Sequence, residues 1–363
     1  MINRYIFQQI FNELIPEHKV EYMRFEDLYV NNIPSDSYDY IIMYHEMEVS
    51  NDVVFEDIHK YLKENNLPEN KFILVMGDCS LTESYKLFVK KNYIKKEINT
   101  LSGFFMELCV RNSFDPKYKN KVLKHISENV DKIKKKRFLS MNGRLKPHRH
   151  ALIEFIGRNN LGDYIDYSLL ENNLPIDKYN FKTNVEDYVK NITEGEDVIG
   201  WHNMKSDEHK DFHINYVYAD SKWWYAHKEN LLPLYSNYNM DIVTESESNH
   251  EDKLFFTEKT LRPIYFGLPF FMIGNKGMLS RLKEFGYATY DDIIDESYDT
   301  LPTWRKRLKY ATKEIRRFCQ MSDSDFSNEI KKTKNNILHN VDHFFNNDFQ
   351  IKRIQKQIED IVR

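Results

Sequence analysis

A carboxylate and an ammonium stand side by side where a helix is predicted to begin, in the sequence FFTEKTLRPIYFG. Thr257 is a good N-cap residue, and Glu258 and Lys259 follow at the first helical positions. The first turn of a helix leaves backbone N–H groups without intrahelical partners and carries a partial positive charge, so it attracts phosphate. The carboxylate can bind a sugar hydroxyl while the ammonium neutralises a phosphate. This combination indicates a site for a nucleotide diphosphate sugar.

The same helix start also has a purely structural interpretation. Glu258 and Arg262 are spaced to form an ion pair on an exposed helix. Pro263 removes one hydrogen bond of the helix and should kink it. A kink beside a charged helix start is more expected at a binding site than in plain scaffold, so Arg262 is kept as a further donor-binding candidate.

A second group of charges lies in the sequence NGRLKPHR, between a predicted strand and a predicted helix. Asn142 and Gly143 allow a tight turn, and Arg144, Lys146 and Arg149 bring three positive charges together. Arginine suits a diphosphate because its planar fork donates two parallel hydrogen bonds. The alternative is a solvated basic turn.

Two loops near the N-terminus carry carboxylates that could act as a general base on an acceptor hydroxyl. Glu46 follows an apolar strand in YHEMEVS, and Asp78 follows the next one in MGDCS. Ordinary polar loops are the alternative. A later loop, ESESNHEDK, begins at Glu245 and could reach the donor or bind a divalent cation, unless it is simply a flexible acidic loop.

Strand and helix patterns alternate along the first third of the chain, which predicts a parallel sheet with helices on both faces. The predicted elements are strands at 20–25, 38–44 and 71–77 and helices at 53–66 and 80–91. After the lysine-rich segment ENVDKIKKKR the rhythm starts again, with strands at 137–143, 240–246 and 269–274 and helices at 147–160, 223–235 and 277–285. The lysine-rich segment itself could touch an anionic acceptor.

These patterns predict an α/β protein of two Rossmann-like domains with a helical C-terminal tail. We place an N-terminal acceptor-side domain at residues 1–134, a C-terminal nucleotide-sugar-binding domain at 135–345, and a last helix at 346–363 that crosses back to the first domain. A chain of 363 residues is long enough for two cores. Ligands of such sheets bind at the carboxyl ends of the strands.

Composition and missing motifs argue against several function classes. The formal net charge of -4 argues against a general polyanion-binding protein, although it is compatible with a local basic cleft. The 3 cysteines show no metal-ligand spacing, which favours a reducing interior such as the cytoplasm. The N-terminus does not look like a signal peptide, and no apolar run is long enough to span a membrane. Motifs of P-loop NTPases, Rossmann dehydrogenases, zincins and GxSxG hydrolases are missing from the sequence.

The stretch from Ile242 to Gly274 resembles the donor-binding motif of the alpha-1,3-fucosyltransferase family of GT-B glycosyltransferases. In that family a strand ends in a Glu-bearing loop, and a TEK-type helix start, a Gly, an apolar strand and a Gly follow. Here IVTESESN, FFTEKTLRPIYFG and LPFFMIG follow in the same order. RFLSMNGRLKPHR resembles the family's nucleotide-binding opening more weakly. Pro263 is more similar to uncharacterised glycosyltransferase-like proteins of bacteriophages, which leaves the sugar undecided.

The resemblance implies a GT-B fold and a role for each matching residue. Lys259 would bind the donor diphosphate, and Glu258 the ribose or sugar. Arg144, or else Arg149, would be the second phosphate cation, and Glu245 matches the glutamate of the upstream loop.

The implied reaction is direct displacement with inversion, and the family's base is a glutamate of the N-terminal domain. Glu46 is predicted for that role by position, with Asp78 as its rival. Fixed cations make a cofactor unnecessary, although a divalent metal held by Asp78 or the acidic loop is an alternative. The expected partners are a nucleotide-diphosphate sugar carrying a hexose, pentose or fucose and a hydroxyl acceptor, either a surface glycan or a hydroxymethylated base of viral DNA. A viral enzyme would work in the host cytoplasm. A non-catalytic nucleotide-sugar or partner-binding module on the same scaffold is the alternative function.

Overall fold

The computed structural model describes residues 15–25, 37–45, 50–112, 116–130, 136–142, 146–168, 234–249 and 253–362, and positions 8, 12, 13, 114, 132–134 and 232. The chain divides into two compact units. The first unit comprises Met1–Ser113, His250–Glu258 and Asn346–Arg363, and the second comprises Phe114–Asn249 and Lys259–Phe345. Residues 114–134, predicted for the first domain, therefore group with the second unit, and residues 346–363 group with the first.

The first unit contains a four-stranded parallel sheet with the strand order β1-β2-β3-β4. Its strands are β1 (Val20–Arg24), β2 (Tyr40–His45), β3 (Phe72–Met76) and β4 (Asn99–Leu101). Helix α1 (Asp52–Glu64) joins β2 to β3, and α2 (Leu81–Asn92) joins β3 to β4. All five residues of β3 are buried, as expected for a continuous apolar strand covered on both faces.

Both faces of this first sheet carry helices, because side chains alternate between the faces along each strand. Met43 and Leu74 face α1 and α2, which lie together since both right-handed connections advance in the same direction along the sheet. Tyr44 and Val75 face the opposite side, where α3 (Phe105–Asn112) and the C-terminal helix pack. The prediction of a parallel sheet covered on both sides is thus confirmed.

The second unit contains another four-stranded parallel sheet, with the strand order β6-β5-β7-β8. Its strands are β5 (Lys136–Met141), β6 (Ile165–Ser168), β7 (Tyr238–Thr244) and β8 (Phe270–Ile273). Helix α4 (Pro116–Asn129) precedes β5, α5 (Pro147–Arg158) joins β5 to β6, and α6 (Glu258–Phe266) precedes β8. The remaining helices are α7 (Met278–Glu284), α8 (Trp304–Gln320), α9 (Asp323–Lys332), α10 (Lys334–Asn346) and α11 (Phe349–Val362), the last belonging to the first unit.

Aromatic side chains fill the core of the second unit. The Phe318 ring of α8 lies 5.8 Å from that of Phe271 in β8, centroid to centroid, so α8 covers one face of the sheet. Gly267 makes the turn between α6 and β8 with φ of +73°, and a Cβ there would lie 2.3 Å from Ile126 Cδ1. The turn therefore requires glycine both for its backbone angle and for space.

Most predicted strands and helices are found within about two residues of their predicted bounds. The short strands β4 and β6 were not predicted, and the helix predicted at 223–235 lies almost wholly outside the described residues. Among the helices of the described ranges, none is long and apolar enough to cross a bilayer.

Candidate functional site

The second sheet has a topological switch point between β5 and β7. From β5 the chain moves outward to β6, whereas from β7 it moves in the opposite direction to β8. The loops that leave two such strands separate and open a crevice at their carboxyl ends, where α/β proteins bind ligands. Asn142 and Glu245 are the residues that directly follow these two strands.

Asn142 joins the ends of the two strands. Its Oδ1 accepts a hydrogen bond of 2.6 Å from Thr244 Oγ1, and its Nδ2 donates to Ser140 O at 3.2 Å and Ser140 Oγ at 3.1 Å. The Asn142 side chain is only 1% exposed. The Asn142 amide therefore holds the carboxyl ends of β5 and β7 together, and its contact with a donor stays a prediction.

The Glu245 carboxylate is completely buried and is oriented by hydrogen bonds. Oε1 accepts from Thr260 Oγ1 in the first turn of α6, and Oε2 accepts from Ser246 N at 3.1 Å. These contacts connect the loop after β7 to the start of α6. Two segments of the proposed sequence motif are thus brought together by direct contact.

Lys259 adds a positive charge at the same place. Helix α6 begins at Glu258, so Thr257 occupies the predicted N-cap position, and both residues are buried. Lys259 is only partly buried, and its Nζ donates to Ser246 Oγ at 3.2 Å. Ser246 therefore contacts both groups: its hydroxyl accepts from the ammonium of Lys259, and its backbone N–H donates to the carboxylate of Glu245.

Arg149 reaches the same loop from α5. It is 3% exposed, and its Nη2 donates to Thr244 O at 3.1 Å and to Glu245 O at 3.0 Å. These contacts hold the backbone at the end of β7. Its predicted contact with a donor phosphate stays a prediction, as does that of Arg144, which lies outside the described residues.

The neighbouring His148 was not predicted as a site residue. It is 1% exposed, with Nε2 2.9 Å from Glu245 O and Nδ1 2.9 Å from Ser248 Oγ. Burial lowers the pKa of His148 from 6.5 to about 3, and the positive charge of Arg149 adds to the effect. The ring is therefore neutral, so Nε2 donates to the carbonyl and Nδ1 accepts from the hydroxyl.

Arg307 of α8 is a second residue that sequence reasoning missed. Its Nη2 donates to Ser248 O at 2.6 Å and its Nε to Gly274 O at 3.1 Å, so it joins the loops after β7 and β8. Gly274 itself lies against the site, because a Cβ there would be 3.2 Å from Glu245 Cβ. Arg307 directly precedes Leu308, a residue of the apolar stripe of α8. This position in the helical repeat is the sequence signal from which the burial of Arg307 could have been predicted.

Arg262 faces the sheet. Its positive charge lowers the pKa of Asp241 in β7, but burial has the larger, opposite effect and raises that pKa from 3.8 to about 7. The Asp241 carboxyl is 3% exposed. A direct donor contact by Arg262 stays a prediction.

The predicted base candidates belong to the first unit. Asp78 is fully buried and accepts five hydrogen bonds: from the backbone N–H and hydroxyl of Ser50, from those of Ser80, and from Leu254 N–H. These contacts hold together the loops after β2 and β3 and the segment before α6. They favour a positioning role for Asp78. Glu46 lies outside the described residues.

Among the described residues, no group of three His, Cys, Asp or Glu side chains is arranged to hold a metal ion. In the acidic loop, Glu247 forms an ion pair with Lys146 at 3.1 Å. The part of that loop at 250–252 lies outside the description.

The chain matches no protein-family model and no curated protein.

Proposed function

We propose that the protein is a GT-B glycosyltransferase that moves a sugar from a nucleotide-diphosphate sugar to a hydroxyl acceptor. The support is that Glu245, which follows β7 at the switch point of the second sheet, and Lys259 of α6 both hydrogen-bond to Ser246. That pair was expected from a donor-binding motif, and a switch point is where α/β sheets bind nucleotides. The two parallel sheets and the return of α11 to the first unit agree with GT-B architecture.

In the proposed reaction, the acceptor oxygen attacks the anomeric carbon as the bond from that carbon to the diphosphate oxygen breaks. Glu46 takes the acceptor proton, and the nucleoside diphosphate leaves. Lys259 and Arg144 stabilise the negative charge that grows on the diphosphate, which lowers the barrier because this charge is larger in the transition state. Glu258 would contact the ribose or the sugar, and Thr257, at the N-cap position, is a further donor-binding candidate. No metal is needed in this scheme, and a divalent cation remains an alternative.

A non-catalytic nucleotide-sugar binder is the second candidate. One observation favours it: Asp78, one of the two predicted bases, has its carboxylate engaged by five donors. Catalysis by a carboxylate would then depend on Glu46 among the predicted candidates.

Release of nucleoside diphosphate from a panel of sugar donors and acceptors tests the enzymatic claim. Glu46→Gln keeps the size of the side chain but removes the base, so turnover should fall at least about 100-fold. Thermal stabilisation by the donor should be unchanged. Glu48→Gln, in the same loop, is the matched control and should keep its turnover. Full turnover by Glu46→Gln would refute the assignment of the base, and donor binding without turnover in the wild type would favour the binder.

A further inference from the structure

Helix α8 is strongly basic in a chain whose formal net charge is -4. Its sequence, WRKRLKYATKEIRRFCQ, has seven basic residues and one acidic residue. The basic segment predicted to touch an acceptor, around residues 132–137, is different: Arg137 there is buried and bonded to Asp323, and Lys136 to Gly162 O. Of these two basic segments, α8 is the one with an extended exposed row of cations.

The basic residues of α8 occupy one exposed side. The opposite side is buried in the unit through Leu308, Ala311, Ile315 and Phe318. A helix turns by about 100° per residue, so the exposed cations fall within a sector of about 100°. They are Lys306, Lys309, Lys313, Arg316 and Arg317. Along the axis they extend over about 16 Å, at about 1.5 Å per residue.

Some of these cations have partners within the unit. Arg317 pairs with Glu314 at 2.7 Å, and Arg316 donates to Asn159 Oδ1. Lys306 and Lys313 have no ion pair within 4.0 Å among the residues that the structure describes. Exposed lysines of this kind keep counterions that a polyanion can displace.

We propose that this exposed side of α8 binds the phosphate backbone of a nucleic acid. A row of exposed cations is complementary to the regularly spaced negative phosphates of a nucleic acid. Tyr310, which is 47% exposed, lies at the edge of the row and offers a ring on which a base can stack. An anionic membrane fits less well, because amphipathic helices bind membranes by inserting an apolar face, and that face of α8 is buried.

The binding claim does not depend on sugar transfer. A second inference rests on the proposed function: if the protein transfers a sugar, binding of nucleic acid by α8 makes nucleic acid the acceptor class in preference to a surface glycan. The donor crevice and α8 belong to the same unit, and Arg307 of α8 contacts the loops of that crevice.

Fluorescence anisotropy with a labelled 20-base-pair DNA duplex, at NaCl from 50 to 200 mM, tests the proposal. Three phosphate contacts contribute about 2.7 to the slope of log K against log salt, which corresponds to about a 40-fold change in affinity over this range. The variant K306Q/K309Q/K313Q should lose this part of the slope and bind at least 10-fold more weakly at 50 mM. The control K121Q/K124Q/K331Q removes the same charge from exposed lysines of α4 and α9 and should bind like wild type.

Equal binding by the two triple variants, or no binding of duplex at 50 mM salt, would overturn the proposal. Retention on phosphatidylserine vesicles that is lost in K306Q/K309Q/K313Q, without duplex binding, would assign the surface to membranes and overturn it as well. Thermal stabilisation by nucleoside diphosphates should be the same in both triple variants. That second measurement separates a failure of the surface from a failure of the proposed donor site.

Discussion

Stability of the second unit should depend on pH through His148, and the substitution His148→Gln should remove that dependence. Glutamine places an amide N–H near the position of Nε2, so it can still donate to Glu245 O, but it cannot be protonated. In the wild type, burial holds the pKa of His148 at about 3, against 6.5 in the unfolded chain. The folded state therefore binds fewer protons than the unfolded state between these values.

The sign and size follow from proton linkage. A lowered histidine pKa contributes stability that is fully present above pH 6.5 and is lost as pH falls toward 3. Each pH unit within that window costs about 1.4 kcal/mol. Between pH 7 and pH 5 the wild type should therefore lose about 2 kcal/mol more unfolding free energy than His148→Gln.

Urea unfolding followed by tryptophan fluorescence measures this difference. Trp304, the first residue of α8, lies in the second unit, so its contribution to the signal reports that unit, while the other three tryptophans lie outside the described residues. The midpoint and slope are compared at pH 7, 6 and 5 for both proteins. A pH dependence that is the same in both would show that His148 is not held neutral, and the reasoning about its hydrogen bonds would be wrong.

Three further substitutions test other parts of the account. Asp241→Asn should gain about 3 to 4 kcal/mol relative to wild type between pH 4 and pH 8, as pH-dependent urea unfolding would measure. Burial raises the folded pKa of Asp241 from 3.8 to about 7, so within that window the unfolded chain releases a proton that the folded state keeps, and the wild type loses stability as pH rises. Gly274→Ala should cost about 1–3 kcal/mol because its Cβ would lie 2.3 Å from Met278 Sδ, whereas Gly162→Ala, with nothing within 4 Å, should be nearly neutral by the same assay. Asp78→Asn should cost at least about 2 kcal/mol in calorimetric unfolding of the first unit, because an amide replaces an acceptor by a donor; an unchanged transition would contradict the positioning role.

The fold was largely predictable because its strands are long apolar runs. KFILVMG and PFFMIG can be recognised from their residues alone, and β3 and β8 are found there. The strands β4 and β6, with the sequences NTL and IDYS, are short and contain polar residues, so they do not form an apolar run. The order of the strands depends on long-range pairing, which local patterns do not encode.

Candidate residues could be identified from the sequence only where a linear motif contains them. Glu245 and Lys259 were identified from a linear motif, and in the fold both hydrogen-bond to Ser246. His148 and Arg307 act by donating to backbone carbonyls of that loop, and such bonds leave no signal in residue type. Arg149 shows the converse, since a basic residue expected at a phosphate donates to carbonyls from a buried position.

Thermal unfolding in the presence of nucleotide sugars tests the donor site most directly. A donor at 100 times its Kd stabilises the folded protein by about 2.7 kcal/mol, which raises the Tm by several degrees. Lys259→Met should weaken binding by about 1.5–3 kcal/mol through loss of a charged hydrogen bond, whereas Lys331→Met, at an exposed position of α9, should not. We predict a shift for at least one nucleotide sugar in the wild type and in Lys331→Met, and a much smaller one in Lys259→Met. No shift with any nucleotide or nucleotide sugar, or an equal shift in Lys259→Met, would contradict this prediction.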